Sequence, residues 1–179
     1  MLNLGTKYVA LLLSLAPAWV QAQWYEGGKP APDTAYRQHR GGFSVLLAIA
    51  PDPDSFMREW FATKESHVPH LREVDRLHRG DRVGALLLFS GCAAEGKPCD
   101  AVVDFEVFAP DGSVYGEHAN NALWPGGAPK PTVVALSQAN LIVRIEPKDP
   151  IGTYTVVVDV KSPSSLHAFH LKKSFVVEP

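Results

Sequence analysis

The chain has 179 residues, with 17 basic against 19 acidic side chains and a formal net charge of −2 at neutral pH. So mild a negative balance gives no electrostatic footprint for nucleic acid or for an anionic lipid surface. A domain of about 150 residues buries roughly 68–70% of its unfolded surface, so a chain this long holds a core without a disulfide scaffold.

Met1 to Ala22 reads as a secretory signal peptide. Lys7 precedes an apolar run over 8–16, Pro17 follows, and Val20-Gln21-Ala22 supplies the small-x-small pattern of a cleavage site. The run is shorter than the about 20 residues that a bilayer crossing needs, and no second run of that length follows. The mature chain is therefore expected to start at Gln23 and to reside in the periplasm or outside the cell, without membrane insertion. Residues 23–42, with Gly27, Gly28, Pro30 and Pro32, show no periodicity and read as a flexible polar leader. Trp24 and Tyr25 within it form an aromatic pair suited to docking on a partner, on a neighbouring copy or along the protein's own domain. Residues 43–179 are expected to form one domain.

Phe43 to Ala50, apolar between Gly42 and Pro51, reads as the first strand. Phe56, Met57, Trp60 and Phe61 then recur at helical spacing, which predicts a short helix capped by Asp54 or Ser55. His70 to Leu77 is a weak strand, Arg79-Gly80-Asp81 a turn, and Val83 to Phe89 a strongly apolar strand. Cys92 and Cys99, the two cysteines, read as one structural disulfide in an oxidising compartment. Gly96 and Pro98 in the loop between them suit a turn. Val102 to Phe108 alternates, with Val103, Phe105 and Val107 toward a core and Asp104 and Glu106 toward water.

Pro110-Asp111-Gly112-Ser113 is a turn that leads into Val114 to His118 as a hairpin partner. Ala119 to Pro131 reads as a loop, and Thr132 to Glu146 as one or two strands. After a turn over 147–152, Tyr154, Val156, Val158 and Val160 alternate with Thr155, Asp159 and Lys161. Leu166 to Val177 closes the chain, with a bulge expected near Lys172-Lys173. Turn signals about every 8–12 residues, seven to nine short strands and one short N-terminal helix predict an all-β chain, a single antiparallel sandwich.

At Phe108-Ala109-Pro110-Asp111-Gly112-Ser113 and at Asp149-Pro150-Ile151-Gly152-Thr153-Tyr154-Thr155-Val156, the chain resembles immunoglobulin-like modules of bacterial exported proteins. The macroglobulin-like and fibronectin-like varieties are the most similar. So are small periplasmic proteins that join a Trp-containing N-terminal segment to such a module. The resemblance implies an immunoglobulin-like β-sandwich over roughly 79–179, with a turn feeding the penultimate strand into a closing hairpin. It implies nothing about ligands, because turn chemistry specifies strand order. Cys92 and Cys99 lie too close in sequence to be the inter-sheet bridge of antibody domains.

No nucleophile elbow of the Gly-x-Ser-x-Gly type occurs, and no calcium-loop spacing surrounds Asp52 and Asp54. Neither a catalytic residue nor a cofactor is expected. Of the seven histidines, His67 and His70 have a metal-like spacing but flank Pro69, and His167 and His170 should fall on opposite faces of one strand. A periplasmic copper or zinc protein using His67, His70, His118 and His170 is the alternative reading. The favoured one is a non-catalytic binding or assembly module that recognises another envelope protein. Its candidate residues are Trp124 with Asn120 and Asn121 in an end-loop, then Trp60 with Phe56 on the helix. Aromatic side chains offer large contact area at low rotamer cost. An open sheet edge offers strand addition as a second route, and self-association is a further expectation.

Overall fold

The computed structural model describes residues 24–26, 29–64, 67, 69 and 72–179. The signal-peptide reading and His70 lie outside them. The described residues form twelve strands and one helix. A short ribbon pairs β1 (Tyr25–Glu26) with β2 (Lys29–Pro30). One five-stranded sheet holds β3 (Arg37–Arg40), β4 (Phe43–Ala50), β6 (Arg82–Ser90), β9 (Ala135–Leu136) and β10 (Leu141–Arg144). Its order is β10-β6-β4-β3, with β9 also on β6. The second sheet holds β5 (Arg76–His78), β7 (Val102–Phe108), β8 (Val114–Ala122), β11 (Gly152–Ser162) and β12 (His167–Glu178). Its order is β5-β12-β11-β7-β8, antiparallel throughout except for β5, which runs parallel to β12.

The two sheets share one core. Val45, Leu47 and Leu87 of the first meet Phe105, Tyr154 and Leu171 of the second, and the Phe43 and Phe169 rings cross edge-on at 4.8 Å. The β11 alternation expected from sequence is present: Tyr154, Val156, Val158 and Val160 are all buried. The Tyr154 hydroxyl donates to the Pro150 carbonyl at 2.9 Å, fixing the corner where the chain enters β11. In the turn between β7 and β8, Ala109 N–H donates to Ser113 O at 2.8 Å, and Gly112 supplies the left-handed backbone at φ +83°. Cys92 and Cys99 form the expected disulfide, Cα to Cα 5.6 Å, and both are buried.

The helix α1 spans Pro53–Ala62. Its N-cap is Asp52, two positions before Asp54 and three before Ser55, because Pro53 fits the first helical position and Asp52 Oδ1 accepts the Ser55 N–H at 2.9 Å. The helix lies on the outer face of the first sheet. There Phe56 joins Ala48, Ala50, Leu86, Leu88 and Leu136 in a second apolar cluster, with Trp24, Met57 and Trp60 against it. The approach is close: a Cβ on Gly84 would stand 2.7 Å from Pro53 Cβ.

Several sequence expectations are corrected. Residues 37–40, assigned to the polar leader, form β3 and pair with β4. Among the described residues of 70–77, Arg76 and Leu77 alone are in a strand, extended to His78 as β5. β12 pairs with β11 in unbroken register through Lys172 and Lys173, so there is no bulge there. Lys173 turns inward instead, its ammonium 4.3 Å from the Tyr36 ring centroid and paired with Glu73. The irregular register lies between β7 and β8.

Candidate functional site

The reading of 119–131 as a loop is corrected as well. β8 continues to Ala122, so Asn120 and Asn121 are strand residues. Asn120 takes a left-handed backbone at φ 56° and gives its N–H to Asp104 Oδ1 at 2.7 Å. Asn121 opposes Val103 and donates from Nδ2 to the His118 carbonyl at 3.0 Å. Both amides shape the irregular edge of β8, and neither lines the cavity that holds Trp124.

Trp124 lies two residues beyond the end of β8. It is half-buried, and its ring meets Phe89 edge-on at 5.9 Å. The ring is held by packing, since its Nε1 is buried without a hydrogen-bond partner among the described residues. On the other side, Trp60 leaves α1 beside Phe56, ring centroids 5.7 Å apart. Phe56 itself is buried under the helix and anchors it.

The two tryptophans, far apart in sequence, line one groove of about 280 Å³. Its floor is the segment 133–136, and Phe61, Lys64 and His67 form the rim. No acidic side chain lines it among the described residues. Phe61 is 78% exposed, an apolar ring held in water by the last turn of α1. Sequence reasoning found both tryptophans but treated them as separate sites. It missed the floor, although the apolar run Val133-Val134-Ala135-Leu136 was visible inside the region read as strand.

The histidines are dispersed. His67 is on the groove rim and His118 on β8, while His170 lies on the outer face of the second sheet with Nδ1 2.9 Å from Asp159 Oδ1. His167 is half-buried on the opposite face of β12, as the odd spacing predicted. Among the described residues no three His, Cys, Asp or Glu side chains come together in a way that could hold a metal ion. No described helix is long and apolar enough to cross a membrane.

Electrostatic perturbation concentrates elsewhere, at the seam between β8 and β10. Burial, then a hydrogen bond to Asp149, pushes the Tyr115 phenol well above its ordinary value. That same bond holds the Asp149 carboxyl below the usual carboxylate range. The same single O–H is shared between Asp149 and the Arg144 carbonyl, the latter at 2.7 Å, and Asp149 accepts the Glu146 N–H at 2.7 Å. This arrangement clasps the two sheets together; with the carboxylate already engaged, it offers no free base.

Neither a protein-family model nor a curated protein sequence matches the chain. Among solved structures, it is similar to part of a Parabacteroides merdae beta-glucuronidase, at 17% identity over 54% of this chain and 12% of that one, TM-score 0.34. It is similar also to part of a family 123 glycoside hydrolase from Clostridium perfringens, at 9% identity over 75% and 27%, TM-score 0.41. A Pseudomonas fluorescens alkylpurine DNA glycosylase matches at 13% identity over 76% and 30%, TM-score 0.37. The chain thus spans 12%, 27% and 30% of these three proteins, and likenesses this faint say nothing of its activity.

Proposed function

We propose that this protein is a non-catalytic binding module of the bacterial envelope, exported by its signal peptide and built on an immunoglobulin-like sandwich. Three features support the fold reading. The strands β10-β6-β4 face β12-β11-β7-β8, and β5 runs parallel to the last strand. The Tyr154 hydroxyl bonds back to Pro150, the tyrosine corner at the start of a penultimate strand.

The observation that carries the functional reading is the convergence of Trp60 and Trp124 on one groove. Half-buried aromatic rings around an apolar floor are the type of site where a few residues carry most of the binding free energy. The occupant is an extended apolar segment of another envelope protein, and Lys64 on the rim favours one that carries an acidic residue beside its apolar ones. Crosslinking the exported protein in living cells, followed by mass identification, tests this. A partner held by the wild type and lost with both Trp60→Ala and Trp124→Ala supports the reading. Phe61→Ser, at an exposed rim position, keeps the test decisive if Trp124→Ala does not fold. Capture that is unchanged in all three variants overturns it.

A further inference from the structure

The outer face of the second sheet carries charges that strand alternation alone does not call for. In one rung Glu117 of β8 opposes Glu106 of β7, Glu106 opposes Val157 of β11, and Val157 opposes Lys172 of β12. In the next outward-facing rung Asp104 opposes Asp159, and Asp159 opposes His170. Two like-charged pairs therefore sit directly opposite each other in adjacent rungs, an arrangement that destabilises a sheet.

The aspartates find relief within the chain. Lys161 Nζ lies 3.5 Å from Asp104, and His170 is bonded to Asp159. Glu106, Glu117 and Lys172 make no ion pair with any described residue. Lys172 and Glu106 share a rung but stand on either side of Val157, two strands or about 9–10 Å apart. The carboxylates of β7 and β8, with Asp159, border a shallow hollow of about 290 Å³. α1 and Trp24 lie on the other sheet and leave this face open.

We propose that this face receives a second copy of the same chain, related by a two-fold axis that runs along the strands. Both halves of the electrostatic complement, Glu106 and Glu117 on β7 and β8 and Lys172 on β12, occupy one face and one rung. Such an axis carries β12 of one protomer over the partner's β7 at equal height. Each Lys172 then meets the partner's Glu106 and Glu117, and the contact occurs twice per dimer. Val157, midway between, brings an apolar side chain to the axis. The surface is separate from the tryptophan groove and stands without it.

The experiment is sedimentation velocity of the exported, purified protein over a range of concentration and salt, with Lys172→Glu and Glu106→Lys as variants. Circular dichroism checks that both fold. The wild type should dimerise at low salt and dissociate as salt rises, because exposed pairs are screened. Each variant alone places like charges against each other in both contacts and should weaken the dimer at least about tenfold. An equimolar mixture of the two restores opposite charges in both contacts and should dimerise again. A wild type that stays monomeric at low salt overturns the proposal. So does a dimer insensitive to either reversal, or a mixture that fails to recover.

Discussion

The two sheets of this protein present their outer faces differently. The first is covered: α1, Trp24 and Trp60 lie over Ala48, Leu86 and Leu88, so its central strands are buried on both sides. The second faces water, and its β7 and β11 alternate buried and half-exposed residues along their length. The sequence carries this difference directly. Val45 to Ala50 and Val83 to Phe89 are continuous apolar runs, whereas Val103 to Val107 switches at every residue and Tyr154 to Val160 does so except at Val157. A strand covered on both faces has no position at which a polar side chain reaches solvent, and a strand covered on one face has such a position at every second residue. A small helix with an aromatic stripe is enough to change the composition of the sheet beneath it.

Substitutions on the two faces should differ accordingly. The largest effect is expected for Leu86→Ala, which removes a fully buried side chain beneath the helix and should cost about 2–5 kcal/mol in denaturant unfolding. Val157→Ala on the open face should cost well under that, and equal costs would mean that the faces do not differ. Next is Gly84→Ala, whose methyl would collide with Pro53. It should destabilise by about 1–3 kcal/mol through displacement of α1, with a change in Trp60 fluorescence. A silent substitution would show that the helix is not seated on β6.

The seam between the sheets gives a smaller, pH-dependent effect. Tyr115→Phe should cost about 1 kcal/mol at neutral pH by removing the bond to Asp149. The Asp149 carboxyl is depressed in the folded state, so its contribution is present above the unfolded carboxylate value of about 3.9 and is lost as pH falls through the folded one. The Tyr115 phenol is raised, so its contribution is present below about pH 10 and fades as pH climbs toward the folded value. The stability gap between wild type and variant should therefore narrow at both extremes, and a gap constant from pH 3 to about 11 would contradict the clasp. The smallest effect has the opposite sign. Glu106→Gln, relieving the repulsion with Glu117, should stabilise the monomer by roughly 0.2–1 kcal/mol, and more at low salt. Any destabilisation would show that the rung is not strained by its charges.

Much of the strand content was legible because burial imposes a period. Phe43–Ala50 and Val102–Phe108 were located to the residue, and α1 to within two or three residues at its start. Errors fell where local chemistry is ambiguous. Residues 37–40 are polar and short, and they become a strand only because β4 offers a free edge beside them. Asn120 and Asn121 look like loop residues, yet pairing with β7 extends β8 through them. Paired lysines at 172 and 173 suggested a bulge, but Lys173 is accommodated by Tyr36 and Glu73, which lie far away in sequence.

Composition and periodicity by themselves determined an all-β chain with one helix, the positions of its turns and the pairing of its two cysteines. These follow from local rules: the side-chain period of two in a strand, the backbone preference of Gly and Pro, and the short reach between residues seven apart. Only the tertiary structure decided which residues share a surface. Trp60 and Trp124 line one groove because α1 packs over β6 beside β9, and Glu106 faces Glu117 because a bulge sets the register of β8. Such coincidences depend on long-range packing and on strand register. A shift of one residue in register would have sent the same side chains to the opposite face.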